Sequence, residues 1–292
     1  MLKKIKKLSS VDIIAAVGLT VGMLLIFIPF WNAIVISLQT AKDYSYHPFT
    51  LWPHEFTLDN YKSLIGEGET LIRAYGSTVY LTVVGTVVGM TFTTMAAYAF
   101  SRKFPGKRFL FKAYLFTMYF GGGLIPTYLL LKNLGLLNSL NATILLSMIS
   151  VYNIILLKNG FESVPMDLQE AAMIDGGTDM QIFVKVMLPL QKPMIATFSL
   201  FTAVGYWNTW YWPMITLTRT DVTVLQLYLK RIIEQATALE QEASSAVIAM
   251  QQQFQQGIKM AAVFMVMGPI MIVYPFLQKY FTKGIMVGAV KM

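Results

Sequence analysis

The chain has 292 residues, 55% of them hydrophobic and 13% charged, with a mean hydropathy of +0.56 and a formal net charge of +8. A soluble domain of this length needs more charge to cover its surface, so the composition is that of an integral membrane protein. There are no cysteines and two histidines, which excludes disulfides and thiolate metal sites and argues against a histidine-rich one.

Runs long enough to cross about 30 Å of hydrocarbon occur at about 12–38, 74–100, 110–131, 138–157, 193–215 and 260–278. The first follows Lys3, Lys4, Lys6 and Lys7 and is far longer than the apolar core of a signal peptide, so it reads as an uncleaved span. Gly18/Gly22 and Gly85/Gly89 form G-x-x-x-G patterns, which read as ordinary close helix packing. Gly121, Gly122 and Gly123 with Pro126 predict a kink in the third run.

The basic residues orient these runs. With the N-terminus inside, the segments 1–11, 101–112, 158–192 and 279–292 carry fifteen Lys and Arg, and the longer outer segments 39–73, 132–137 and 216–259 carry eight. The expected fold is therefore all-α: one polytopic transmembrane domain over 1–292, with six transmembrane helices and both termini cytoplasmic. The positive charge is a topology signal, with no need for a nucleic-acid partner. Past their inner edges, where Asp12 and Lys112 stand, the runs hold no Asp, Glu, Lys, Arg or His. That argues against a proton-coupled carrier, since a proton relay needs such groups in the membrane. It also argues against a membrane-embedded enzyme, and no catalytic or metal-binding residue is expected. A stand-alone six-span secondary carrier or channel, using backbone carbonyls, stays open at this point.

The inner segment 158–192 is too polar to cross and too short for a domain. In "ESVPMDLQEAAMIDGG", Ser163 is placed to cap a helix and Pro165 to occupy its first turn. Asp167 and Glu170 share one face, and Leu168, Ala171, Ala172 and Asp175 another. Gly176 and Gly177 are a natural stop. In "TDMQIFVKVMLP", Thr178 and Gln181 fit a capping box, and Ile182, Phe183, Val186 and Met187 form an apolar stripe. Pro189 is expected to close this second helix and Pro193 to open the next span. Helices this short are unstable alone in water. They must dock, either on their own bundle or on a cytoplasmic partner.

Glu170-Ala171-Ala172, Gly176 and Val186-Met187-Leu188-Pro189 resemble the EAA loop of ABC importer permeases, with Val186 where Ile is usual. "AAMIDGG", Phe183 and "LPLQKP" are similar to the maltose- and lactose-type carbohydrate branch of the binding-protein-dependent transport inner membrane component family. "LWPHEFTLDNY" at 51–61 and "KYFTKGIMVGAVK" at the C-terminus agree. The resemblance implies a multi-pass subunit of the bacterial inner membrane, not itself an enzyme. It implies import of an oligosaccharide or polysaccharide fragment delivered by an extracytoplasmic solute-binding protein. Its other partners would be a second, homologous permease subunit and two cytoplasmic ATP-binding subunits, which would bind ATP and Mg; this chain would bind no cofactor. Glu170, Ala171, Ala172, Asp175, Gly176, Leu188 and Pro189 would then couple to the ATPase. No Walker A pattern is present, since "PGKRFL" at 105–110 lacks the glycine spacing and the Ser/Thr.

Two outer features complete the reading. Ile232, Ala236, Leu239, Ala243, Ala246 and Met250 recur at helical spacing, and Phe254 continues the stripe. It suits packing on the bundle or, by resemblance, contact with the binding protein. In "YWNTWYWP", Tyr206, Trp207, Asn208, Trp210 and Tyr211 suit either an interfacial aromatic belt or contact with sugar in the substrate pathway.

Overall fold

The computed structural model describes residues 10–66, 68–219, 221–241 and 255–273. Among these there is no β-strand, only an isolated antiparallel bridge between Gln39 and Phe56. The C-terminal segment and the stripe residues Ala243, Ala246, Met250 and Phe254 lie outside the described residues. Chain contacts define two units, residues 1–68 with 229–266, and residues 69–228 with 267–292.

The first unit contains α1 (Ser10–Ser37), α2 (Ala41–Tyr46) and α3 (Asp59–Gly66). Its long helix α1 is apolar and exposed along most of its length, from Val11 to Ile28, a surface that water does not favour and lipid does. Asn60, buried in α3, donates to the carbonyls of Ser37 and Gln39, each at 3.0 Å. In α15 (Gln255–Val273), a Cβ on Gly257 would lie 2.6 Å from the Asn60 amide. That asparagine therefore ties the end of α1 to α3 and forces glycine opposite it. Leu64, Ala261 and Ala262 form a small core, against which Ile232 of α14 (Leu225–Gln241) packs. In its described part the outer stripe thus packs on the chain itself.

Both histidines converge on one carboxylate in this unit. Asp43 is buried and accepts from the backbone N–H of His54 at 2.8 Å, that of Glu55 at 3.1 Å, and Gln39 Nε2 at 3.1 Å. His47 Nδ1 and His54 Nδ1 lie 3.2 and 3.4 Å from Asp43 Oδ1. The three side chains put ligand atoms within 4.8 Å of one another, a cluster the sequence did not announce. The rings are stacked at 4.1 Å with planes 27° apart, so their in-plane lone pairs do not meet at one point. The arrangement is a hydrogen-bonded hub for the loop.

In the second unit, α4 (Gly68–Ser101) is unbroken, and its Gly85 and Gly89 face close neighbours. A Cβ on Gly85 would sit 2.5 Å from the Tyr206 ring, and one on Gly89 2.8 Å from the Met148 carbonyl. The Gly85/Gly89 pattern is packing, as expected; at Gly18 and Gly22 nothing lies within 4 Å.

Three expected spans differ from continuous helices. The run 110–131 is α5 (Lys107–Tyr119) and α6 (Leu124–Asn133), bent by 112°. The three glycines between them, with Gly123 at φ +87°, permit that reversal. The run 138–157 is α7 (Leu140–Ser147) and α8 (Val151–Glu162), bent by 49°. Ser150 caps the second helix there by accepting from Asn153 N–H. The run 193–215 is α12 (Lys192–Trp207) and the short α13 (Tyr211–Thr216). Among the described residues, three helices are long and apolar enough to cross a membrane, or up to five if each bent pair is one span.

Candidate functional site

The segment between α8 and α12 begins where α8 is pinned. Glu162 accepts from Lys158 at 2.6 Å and from Lys107, at the start of α5, at 3.3 Å. Burial alone would raise the Glu162 carboxyl, but the two lysines outweigh it and hold it below its ordinary value. Ser163 does not cap the next helix. Its N–H bonds to Asn159 O and its Oγ donates to Gly160 O, so it closes α8 instead. Pro165, in an extended conformation, precedes α9 (Met166–Ile174).

Helix α9 ends in a Schellman turn. Gly177 N–H bonds to Ala172 O at 2.9 Å and Gly176 N–H to Met173 O at 3.0 Å, with Gly176 at φ +78°. Thr178 and Gln181 then form the capping box of α10 (Asp179–Ile182). Here the structure corrects the role of Pro189. After α10 the chain makes a π-turn over Phe183–Met187, in which Leu188 N–H bonds to Phe183 O, and passes into α11 (Leu188–Leu190). The wider turn shifts the register just before the proline, whose missing donor is then no loss in a first turn. Helical structure therefore runs on through Pro189 to Leu190 and resumes at Lys192, with Gln191 N–H bonded to Met187 O and Ile195 N–H to Gln191 O.

The two halves of the segment face different surroundings. Ile182, Phe183 and Met187 are buried in a core with Tyr98, Ile154, Leu157, Phe161 and Phe198, and Val186 and Leu188 pack against it. The Phe183 ring stacks on Tyr98 at 4.7 Å. Gln191 Nε2 donates to Gly160 O at 2.8 Å, and a Cβ on Gly160 would meet Met194 at 2.7 Å. The second half is thus docked on its own bundle. On α9, by contrast, only Gln169 is buried. Arg102, just past α4, donates to the Gln169 side-chain oxygen, approaches Asp179 at 3.4 Å and lies over the Tyr98 ring. Charge counting had marked Arg102 only as an inner residue.

The rest of α9 points outward. Glu170, Ala171 and Asp175 are exposed and Ala172 is half-buried. Met166, Leu168, Met173 and Met180 are exposed, and Ile174 is 85% exposed. Asp167, Glu170 and Asp175 have no ion-pair partner among the described residues. Beside them, Ala172, Gly176, Gly177, Gln181 and Lys185 line a crevice of about 390 Å³. Exposed Met, Leu and Ile with unpartnered carboxylates form the kind of surface that a partner covers. Of the remaining predicted residues, Leu188 is half-buried and Pro189 exposed.

The aromatic candidates separate. Tyr206 and Trp207 are buried, and Tyr206 OH donates to Ile144 O at 3.2 Å. Asn208 bonds within the chain, to Val204 O and from Gln226 Nε2, each at 3.0 Å. Trp210 and Tyr211 stay exposed, in edge contact at 5.9 Å.

Residues 9–287 match the family described as binding-protein-dependent transport system inner membrane component. The chain belongs to this family. Among its relatives, Protein LplC of Bacillus subtilis is 39% identical over 267 residues, covering 90% of this chain and 89% of that protein. The polygalacturonan/rhamnogalacturonan transport system permease protein YtcP of the same organism is 38% identical over 276 residues, covering 92% and 96%. Among solved structures, a chain of a bacterial ABC transporter involved in the import of the acidic polysaccharide alginate superposes with a TM-score of 0.82 at 31% identity, covering 94% of this chain and 99% of that one.

Proposed function

We propose that this chain is one permease subunit of an ATP-driven importer for an oligosaccharide or polysaccharide fragment. A solute-binding protein delivers the sugar outside. A second permease subunit completes the pathway, and two cytoplasmic subunits bind and hydrolyse ATP with Mg. The chain itself forms one permease domain of six spans with both termini cytoplasmic; the inner excess of Lys and Arg supports that orientation. The carbohydrate reading rests on the relatives' names, several of which are sugar transport permeases.

One observation carries the coupling role: α9 buries one side chain, Gln169, and packs Ala172 against the core, while Glu170 and its apolar neighbours remain uncovered. An ATP-binding subunit seated on α9 would bury those apolar groups and pair Glu170 with a cation. Its motion would reach the spans through Arg102 and through the buried Ile182, Phe183 and Met187, as a largely rigid shift of packed helices. The Gly176 turn sets the angle between the docking helix and the anchored one. A lone carrier would have no use for this arrangement. The test is reconstitution of the complex with its binding protein: uptake that requires both ATP and binding protein supports the reading, and uptake by this chain alone contradicts it.

A further inference from the structure

We propose that the break between α7 and α8, with the facing side of α12, forms a neutral, water-filled pocket that receives the hydroxyl groups of the passing sugar. This rests on the importer reading above and adds where in this chain the sugar is met. The pocket has a volume of about 370 Å³, within the range of small-ligand sites. Ser147, Ser150 and Asn153 line it from the break and the start of α8, Thr202 and Gly205 from α12, and Thr209 from just beyond the end of α12.

Its position is unusual for the membrane. The helix is interrupted at residues 148–150, near the middle of an apolar stretch. Non-helical backbone at such depth is tolerated only when buried in protein or lining a water-filled cavity. Part of the break is sealed: Ile144 O takes the Tyr206 hydroxyl, and Met148 O packs on Gly89. The pocket side is unsealed. The Ser147 hydroxyl and the Asn153 carboxamide have no hydrogen-bond partner among the described residues, and a Cβ on Gly205 would meet nothing within 4 Å. Ser147 is exposed and Asn153 half-buried, so both are open to water or a ligand.

The lining also sets the ligand's chemistry. Apart from Tyr206, whose hydroxyl is engaged, none of the lining side chains ionises. Hydroxyls and an amide match sugar hydroxyls as donors and acceptors, and the exposed Phe201 ring offers an apolar face to a pyranose. The pocket holds no cation to offset a sugar carboxylate, so it selects for hydroxyl pattern and leaves any acid group to water. Of the aromatic candidates, Tyr206 lines this pocket with its hydroxyl already engaged.

The native chain has no cysteine, so single cysteines report cleanly. In the assembled transporter in proteoliposomes, Gly205→Cys and Asn153→Cys are expected to react with a sulfonate-bearing methanethiosulfonate about tenfold faster than Val83→Cys on the exposed apolar surface of α4. Equal slow rates would overturn the water-filled pocket. In the second arm, uptake of a galacturonate oligomer by Gly205→Trp is expected to fall by about tenfold or more, with the ATP-binding subunits still co-purifying. Uptake equal to wild type in that variant would overturn the sugar role. If the wild-type transporter takes up no galacturonate oligomer, that oligomer is not its cargo, and protection of Gly205→Cys from labelling by a neutral oligosaccharide decides the sugar role: protection supports it and none refutes it.

Discussion

The guanidinium of Arg102 donates to the side-chain oxygen of Gln169, joining the inner end of α4 to the one buried residue of α9. Arg102→Ala leaves that buried amide without its donor, a loss of roughly 1–3 kcal/mol. Arg102→Lys restores charge but not the planar fork that reaches Gln169 and Asp179 together. Both variants should show lower thermal stability of the purified complex and faster proteolysis near α9, with Lys the milder. Wild-type protection in both would mean that α9 is held otherwise.

Gly176 has φ +78°. Gly176→Val should cost roughly 1–3 kcal/mol in backbone strain, and Gly176→Asn less, because Asn tolerates the left-handed region. Gly177→Ala also strains the turn, since its Cβ would fall 2.7 Å from Ala172 O. Uptake should rank wild type, Asn, then Val at position 176. Equal uptake across the series would remove any need for this turn.

Acid should release the outer hub. Burial raises the Asp43 carboxyl, but hydrogen bonds from the Glu55 backbone, Gln39, His47 and the His54 backbone outweigh that and hold it below the ordinary carboxylate value. A carboxyl depressed in the folded state contributes stability that is complete above its unfolded value and is lost as pH falls through the lower folded value. Hydrogen exchange at the amides of His54 and Glu55, corrected for intrinsic rate, should therefore stay protected down to the ordinary carboxylate range and open below it. Asp43→Asn should abolish that acid step; an unchanged step would assign it elsewhere.

The charge pattern predicts which side each loop occupies. Cysteines placed at Lys103 and Glu234, one at a time, should label from opposite faces of the membrane. Labelling of both in intact cells by an impermeant reagent would refute the six-span orientation.

What the sequence disclosed depended on whether the determinant was local. The glycine turn at 176–177 and the box at Thr178 and Gln181 were legible because the residues that need each other are neighbours. The buried stripe of Ile182, Phe183 and Met187 was legible by period. Pro189 misled because a π-turn upstream, packed against Tyr98, changes what a proline means. The break at 148–150 was hidden because its run contains neither Gly nor Pro; the groups that meet its carbonyls, Gly89 and Tyr206, lie far along the chain. Arg102 and the Asp43 hub needed tertiary structure to bring their partners together.

The central claim is that the exposed face of α9 receives the ATP-binding subunit through Glu170. Removing one partner of a buried ion pair costs about 3–5 kcal/mol, and far less where the pair stays solvated. Co-purification of the ATP-binding subunits with Glu170→Ala, measured beside uptake in proteoliposomes, tests this most directly. The account predicts weakened retention, or ATP hydrolysis uncoupled from uptake, with sugar binding to the separate solute-binding protein unchanged. Full retention together with wild-type uptake would contradict it.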